Sequence, residues 1–261
     1  MMAANLGVLP VQAASAPRLN AKSAIIMELE TGKVLYKKNI HSRRAPASMT
    51  KLMTASIALE GDNPKKIVKI SRKVAGIRYN VIKYRRGEKL YMRDLGYGSL
   101  LESDCGSTKA MAEGISGSTI RFVRLMNIKA KKLGCKDTHF VNTYGLDDRK
   151  HYSSAYDIAL ITKNAYGNKL IRRILKTKIH RYKTLNTKRT YTAYSTDELL
   201  GTIASCQGGK TGTTSRAGYC FSSIYKYHGK YYITVVMGCN KKPYRWKDTI
   251  KLYKYIKARA K

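Results

Sequence analysis

Apolar positions in this chain follow a period of two near both ends and a helical period between them. Residues 23–29 and 33–37 are short apolar-rich runs joined by Glu30-Thr31-Gly32, which predicts a β-hairpin. Residues 206–213, 218–227 and 231–238 alternate or run apolar, with His228-Gly229 as a turn between the last two. Over residues 48–60, Met49, Leu52, Met53 and Ile57 form a helical stripe with the small Ser56 among them. Pro46 marks its entry and Gly61-Asp62-Asn63-Pro64 its end. Helical spacing predicts further helices over residues 92–102, 108–115, 118–133 and 156–166, the last capped by Ser153 or Ser154. Residues 104–107 read as a loop between two of them. A final helix over residues 246–258 carries Trp246, Ile250, Tyr253 and Ile256 on one face. Strands at both ends with helices between predict an α/β fold: one sheet built from both termini, with a helical lobe inserted over about residues 62–165.

Composition sharpens this picture at three points. The 261 residues, 43% hydrophobic, suffice for a full core, and no run of 18 apolar residues predicts a membrane span. The balance of 51 Lys+Arg against 16 Asp+Glu, formally +35, favours polyanionic partners. Its densest stretch, residues 169–189, has nine basic residues and no acid, and Lys176, Lys178 and Lys183 interleave with Ile179 and Tyr182 as in a hairpin with a cationic face. Nucleic acid is disfavoured as partner, since no helix-turn-helix, zinc-finger or RRM signature is present. A solvated basic surface without a dedicated ligand is the other reading. The five cysteines, Cys105, Cys135, Cys206, Cys220 and Cys239, include no C-x-x-C pair. They indicate neither a zinc site nor a disulfide framework. Cys220 and Cys239 fall on or beside neighbouring strands out of direct register, so no bond between them is predicted. The five histidines are scattered, and neither a metal nor a cofactor is indicated. Residues 1–17 carry no charged side chain, residues 6–11 are a short apolar stretch, and Val11-Gln12-Ala13 has signal-cleavage spacing. Residues 1–16 therefore read as a signal-peptide remnant lacking its basic start, or as a disordered leader.

Three short motifs carry the chemistry: Ser48-Met49-Thr50-Lys51, Ser103-Asp104-Cys105 and Lys210-Thr211-Gly212. The first sets a hydroxyl and an amine one helical turn apart on one face. The second adds a hydroxyl, and the third an ammonium on a strand. Each is uninformative alone; their order and surroundings are not. Ala45-Pro46-Ala47-Ser48-Met49-Thr50-Lys51-Leu52-Met53-Thr54-Ala55, Phe140-Val141-Asn142-Thr143-Tyr144-Gly145-Leu146-Asp147-Asp148 and Gly209-Lys210-Thr211-Gly212-Thr213-Thr214-Ser215-Arg216-Ala217-Gly218-Tyr219-Cys220 resemble segments of the serine D-Ala-D-Ala carboxypeptidases, the low-molecular-mass penicillin-binding proteins. The resemblance runs over about residues 19–255. One position departs: Cys105 stands where that family has Asn, and Gly106 follows where Asp is common.

The resemblance implies a β-lactamase/penicillin-binding-protein-like serine transpeptidase fold, an antiparallel sheet flanked by helices with an all-helical lobe and the site in the cleft between. It implies one catalytic domain over residues 17–261, without the small C-terminal β-domain and anchor helix of many relatives. Ser48 would be the nucleophile and Lys51, made partly neutral by burial and nearby cations, its base. Ser103 would relay a proton to the leaving amine. Lys210 would supply positive potential, Thr211 and Thr213 would bind the substrate carboxylate, and Gly212 would let the substrate approach as an extra strand. The N–H groups of Ser48 and Thr213 would form the oxyanion hole. Cys105, a poorer hydrogen-bonding group than Asn, should weaken contact with the substrate backbone. The expected activity is hydrolysis of the terminal D-Ala-D-Ala bond of peptidoglycan stem peptides, inhibited by β-lactams, in an exported enzyme. Anionic wall polymers or lipid head groups are then the polyanions that fit the charge. Two alternatives stand beside it: a catalytically weakened wall-binding protein, and a β-lactamase. The β-lactamase is disfavoured because no Glu-x-x-Leu-Asn segment lies between the second and third motifs.

Overall fold

The computed structural model describes residues 15–77 and 79–259, so the leader expected over residues 1–16 lies almost wholly outside the described residues. The chain opens with the antiparallel pair β1 (Ser23–Glu28) and β2 (Val34–Lys38). A 3-10 turn, Ala47–Met49, runs into α1 (Thr50–Ala58). Next come β3 (Ile67–Lys69), α2 (Arg72–Ala75) and β4 (Lys89–Tyr91), the two strands pairing as a small separate sheet. Helices α3 (Met92–Leu100), α4 (Cys105–Ser116), α5 (Thr119–Lys132), α6 (Ala155–Gly167) and α7 (Lys169–Leu175) follow. The hairpin β5 (Ile179–Lys183) and β6 (Thr190–Tyr194) precedes β7 (Cys206–Thr214), β8 (Gly218–Tyr227), β9 (Lys230–Cys239) and α8 (Lys242–Arg259).

The main sheet has strand order β2-β1-β9-β8-β7 and is antiparallel throughout. It is built from both ends of the chain, since β1 pairs with β9 with Ile25 opposite Val235. Both faces of this sheet are buried. Ile25, Met27, Ile224, Val235 and Met237 join the larger core with α1 and α6, while Ala24, Ile26, Phe221, Tyr225 and Val236 join a second core under Trp246, Leu252 and Ile256 of α8. Alternate side chains thus enter different cores, which is why these strands read as nearly continuous apolar runs. Strand β7 lies at an edge, so one row of its backbone groups has no neighbouring strand.

Three expectations change. Helix α1 has no solvent face: all of its residues are buried. Its polar members are satisfied internally, Thr54 Oγ1 donating to the Thr143 carbonyl at 2.7 Å and Ser56 Oγ to the Leu52 carbonyl at 2.7 Å. Residues 105–107 belong to α4 rather than to a loop, because Asp104 caps it: Oδ2 accepts from the Ser107 N–H at 2.6 Å. The small polar residues there read as a turn, and only the cap distinguishes a helix start from one. The basic stretch 169–189 is a helix before it is a hairpin; Asn168 Oδ1 opens α7 by accepting from the N–H groups of Leu170 and Ile171 at 2.9 and 3.1 Å.

Candidate active site

The first motif is positioned by two close backbone approaches. Ser48 sits in the 3-10 turn, immediately after Ala47, whose φ of +48° is a conformation that costs an L-residue energy. Gly145, φ +92°, lies so near that a Cβ there would overlap the Ala47 carbonyl. A Cβ on Gly212 would fall 3.0 Å from the Pro46 carbonyl oxygen and 3.2 Å from the Ser48 nitrogen. Strand β7 and the loop around Gly145 therefore grip the turn that carries Ser48, and both need glycine at the contact.

Lys51 and Lys210 meet in this cleft, each with a fully buried side chain. Lys51 Nζ lies 2.8 Å from Ser48 Oγ, 2.8 Å from the Tyr144 carbonyl and 3.8 Å from Cys105 Sγ. Lys210 Nζ lies 2.9 Å from Ser103 Oγ and 3.0 Å from the Thr211 carbonyl. Neither amine makes an ion pair among the described residues. Burial lowers the pKa of Lys51, and the neighbouring Cys105 and Asp104 oppose it in part. Burial also pushes Lys210 well down, and the charges of Lys51 and Arg245 push it further. Burial, expected from the sequence together with nearby cations, is thus the leading cause for both, and repulsion between the amines is a stated cause only at Lys210.

The second motif is held from below. Asp104, wholly buried, accepts from the N–H groups of Val81 and Ile82 at 2.8 and 3.1 Å and from the Ser107 hydroxyl at 2.7 Å. Next to it Ser103 adopts φ +61°, turning its hydroxyl to Lys210. Among the contacts of the third motif, Thr211 Oγ1 shares a hydrogen bond with Thr196 Oγ1 at 2.7 Å, while the exposed Thr213 accepts from Arg245 Nη1 at 3.1 Å. The structure thus gathers Ser48, Lys51, Ser103, Cys105, Lys210, Gly212 and Thr213 around one cleft, with the Thr211 hydroxyl engaged by Thr196.

Three contributors escaped the sequence reading. Arg245 reaches the end of β7 from α8, its guanidinium 4.4 Å from the Trp246 ring centre; the only signal was an arginine between Tyr244 and Trp246. His151 is buried, and burial lowers its pKa to about 4, so it is a neutral imidazole. Its Nδ1 accepts from the Val141 N–H at 3.1 Å and its Nε2 lies 2.9 Å from Thr50 Oγ1, tying the catalytic helix to the loop. Asp147 fastens that loop to β7, accepting from Thr214 Oγ1 at 2.6 Å and from the Arg216 N–H at 3.0 Å. Among the described residues no three His, Cys, Asp or Glu side chains cluster so as to hold a metal ion, and the five cysteines are unpaired. No helix among them is long and apolar enough to cross a membrane.

Chemically, the arrangement is a hydroxyl at a helix start, an amine with depressed pKa touching it, and a second hydroxyl–amine pair facing the same cleft. That is the apparatus of acyl transfer through a covalent intermediate. A family model described as D-alanyl-D-alanine carboxypeptidase matches residues 10–241. The D-alanyl-D-alanine carboxypeptidase DacF of Bacillus subtilis is 38% identical over 84% of this chain, which spans 58% of that relative's length. A D-alanyl-D-alanine carboxypeptidase of Streptomyces is 31% identical over 98% of this chain and 93% of its own. The crystal structure of a Streptomyces DD-transpeptidase superposes with a TM-score of 0.87 at 29% identity, covering 93% of this chain and 98% of that one.

Proposed function

Because this chain belongs to the D-alanyl-D-alanine carboxypeptidase family, we propose that it hydrolyses the terminal D-Ala-D-Ala bond of peptidoglycan stem peptides through an acyl-enzyme on Ser48. The 2.8 Å contact between Lys51 Nζ and Ser48 Oγ is the observation that carries the reading. A buried amine with lowered pKa is neutral in an accessible pH range, and in that state it accepts the Ser48 proton as the oxygen attacks the penultimate carbonyl. While Lys51 takes up this proton, its other hydrogens stay directed at the Tyr144 carbonyl, which fixes the amine against the nucleophile. The developing oxyanion lies beside the start of the α1 helix, where free N–H groups and the helix dipole favour negative charge; the N–H groups of Ser48 and Thr213 fill the oxyanion-hole role. Ser103, hydrogen-bonded to Lys210, passes the proton taken up by Lys51 on to the departing D-Ala amine, and water then cleaves the Ser48 ester, releasing the shortened acid and restoring the hydroxyl. The substrate lies along the open edge of β7, with Gly212 admitting its backbone. Its terminal carboxylate meets Thr213 and, beside it, Arg245, while Thr211 shapes the strand through Thr196. Cys105 stands at 3.8 Å from Lys51 as a weak partner, so this side of the cleft grips the substrate backbone less firmly than an amide would.

Action on the wall places the protein outside the cytoplasm, and export through a signal sequence completes the reading. Anionic wall polymers or lipid head groups serve as secondary partners of the basic surface. The test is release of D-alanine from a peptide ending in D-Ala-D-Ala, with and without an amine acceptor, alongside labelling by fluorescent penicillin. Free D-alanine plus shortened acid supports hydrolysis. A new peptide bond to the acceptor would assign transpeptidation instead, and neither product nor labelling would refute the acyl-enzyme.

A further inference from the structure

At the end of the main sheet, where β8 begins and β9 finishes, a cavity of about 680 Å³ opens beside the turn that carries Ser48. Lys22, Arg43, Arg44, Arg149 and Arg216 contribute to its lining, together with Asn240, and no Asp or Glu does. Two of these cations are engaged: Arg43 Nε lies 3.4 Å from Asp137, and Arg44 Nε donates to Ser23 Oγ at 2.8 Å. The Lys22, Arg149 and Arg216 side chains make no ion pair with any described carboxylate. Concentrating like charges on the walls of one concavity is unfavourable for the protein alone, because each repels the next through low-dielectric walls. A bound polyanion would relieve that repulsion.

We propose that this cavity is a binding site for a phosphodiester polyanion, separate from the acylation cleft and held by Lys22, Arg44, Arg149 and Arg216. Arginine matches phosphate oxygens with paired N–H groups, and three of the four are arginines. Concavity argues for a polymer strand over a membrane surface, since none of the large exposed apolar side chains lines the cavity to enter lipid. Its position has a consequence for the enzyme. Arg149 and Arg216 flank Asp147 in sequence or by hydrogen bond, and Asp147 ties the Gly145 loop to β7. A polymer seated there holds the protein with its acylation cleft against the wall. This rests on the wall-enzyme reading and deepens it, placing the anion in a concavity rather than on the basic stretch of residues 169–189.

The test uses the whole protein, glycerol-phosphate oligomers as probe, and calorimetric titration across a salt series. A Lys22→Glu/Arg149→Glu variant should bind the oligomer at least ten-fold more weakly, with a shallower dependence on salt. A Lys176→Glu/Lys178→Glu variant should differ from the parent by less than two-fold. Penicillin labelling of all three reports folding and the acylation site independently of polymer binding. Equal loss in both variants, or retention in the first, overturns the proposal. So does tighter binding to phosphatidylglycerol vesicles than to the oligomer, with the same dependence on Lys22 and Arg149, because a lipid surface would then be the ligand.

Discussion

Lys51 and Lys210 carry the same functional group as Lys22 and Lys183, the exposed lysine of β5, but burial makes different reagents of them. The first two are fully buried, hydrogen-bonded to hydroxyl and carbonyl oxygens, and without an ion pair among the described residues. Desolvation therefore acts on them unopposed by an ion pair, and their pKa falls. Surface cations keep their water and their charge, and singly they contribute little. The loop of residues 144–149 touches both worlds: its Tyr144 carbonyl holds Lys51, and its Arg149 lines the cationic cavity. An excess of positive charge is thus not one property of this protein. Buried, it is a pair of amines with lowered pKa; exposed, it is a field.

Removing the buried amine of Lys51 has the largest expected effect. Lys51→Ala should slow acylation by penicillin and release of D-alanine by about 10²–10⁴-fold, the usual worth of a general base. In the parent protein acylation should rise with pH as Lys51 loses its proton and level off below the ordinary lysine value of 10.5. A rate that keeps rising up to that value would mean that burial does not tune the amine.

A smaller effect separates the two buried lysines from each other. Lys210→Ala should lower kcat/KM for D-alanine release about 10–100-fold, in line with loss of the buried hydrogen bond to Ser103. A loss as large as that of Lys51→Ala would mean that the two amines share one role.

His151 sharpens the point with a buried group that avoids charge altogether. Desolvation holds it near 4 in the folded protein against an ordinary 6.5. Between those values the unfolded chain takes up a proton that the folded protein refuses, so the stability given by His151 is present above about 6.5 and declines as pH falls toward 4. The stability advantage of the parent over His151→Gln should therefore shrink by roughly 3 kcal/mol across that window. Denaturant unfolding of both at several pH values measures it, and a constant difference would mean the imidazole is not held neutral.

Much of this was legible in the chain itself. Apolar-rich or alternating runs located β1, β2, β7, β8 and β9 within a residue or two, the buried β1, β8 and β9 most plainly because their side chains enter cores on both faces. The short β3 and β4 and the four-residue α2 were not, since three or four residues show no period. At the site, Ser48, Lys51, Ser103 and Lys210 could be named from motif order, and the cleft brings them together. Arg245 and His151 could not, because they reach the cleft from distant elements through contacts that only packing determines. Nor does spacing foretell the left-handed backbone at Ala47 and Ser103, which the surrounding fold imposes on residues with no intrinsic preference for it.

In the proposed reaction the Ser48 hydroxyl, activated by Lys51, forms the acyl-enzyme. Mass spectrometry of the protein after brief exposure to a penicillin, followed by peptide mapping, locates the acyl group. A single adduct is expected on the peptide containing Ser48, absent from Ser48→Ala. An adduct that survives in Ser48→Ala, or one that maps to Cys105, would contradict it.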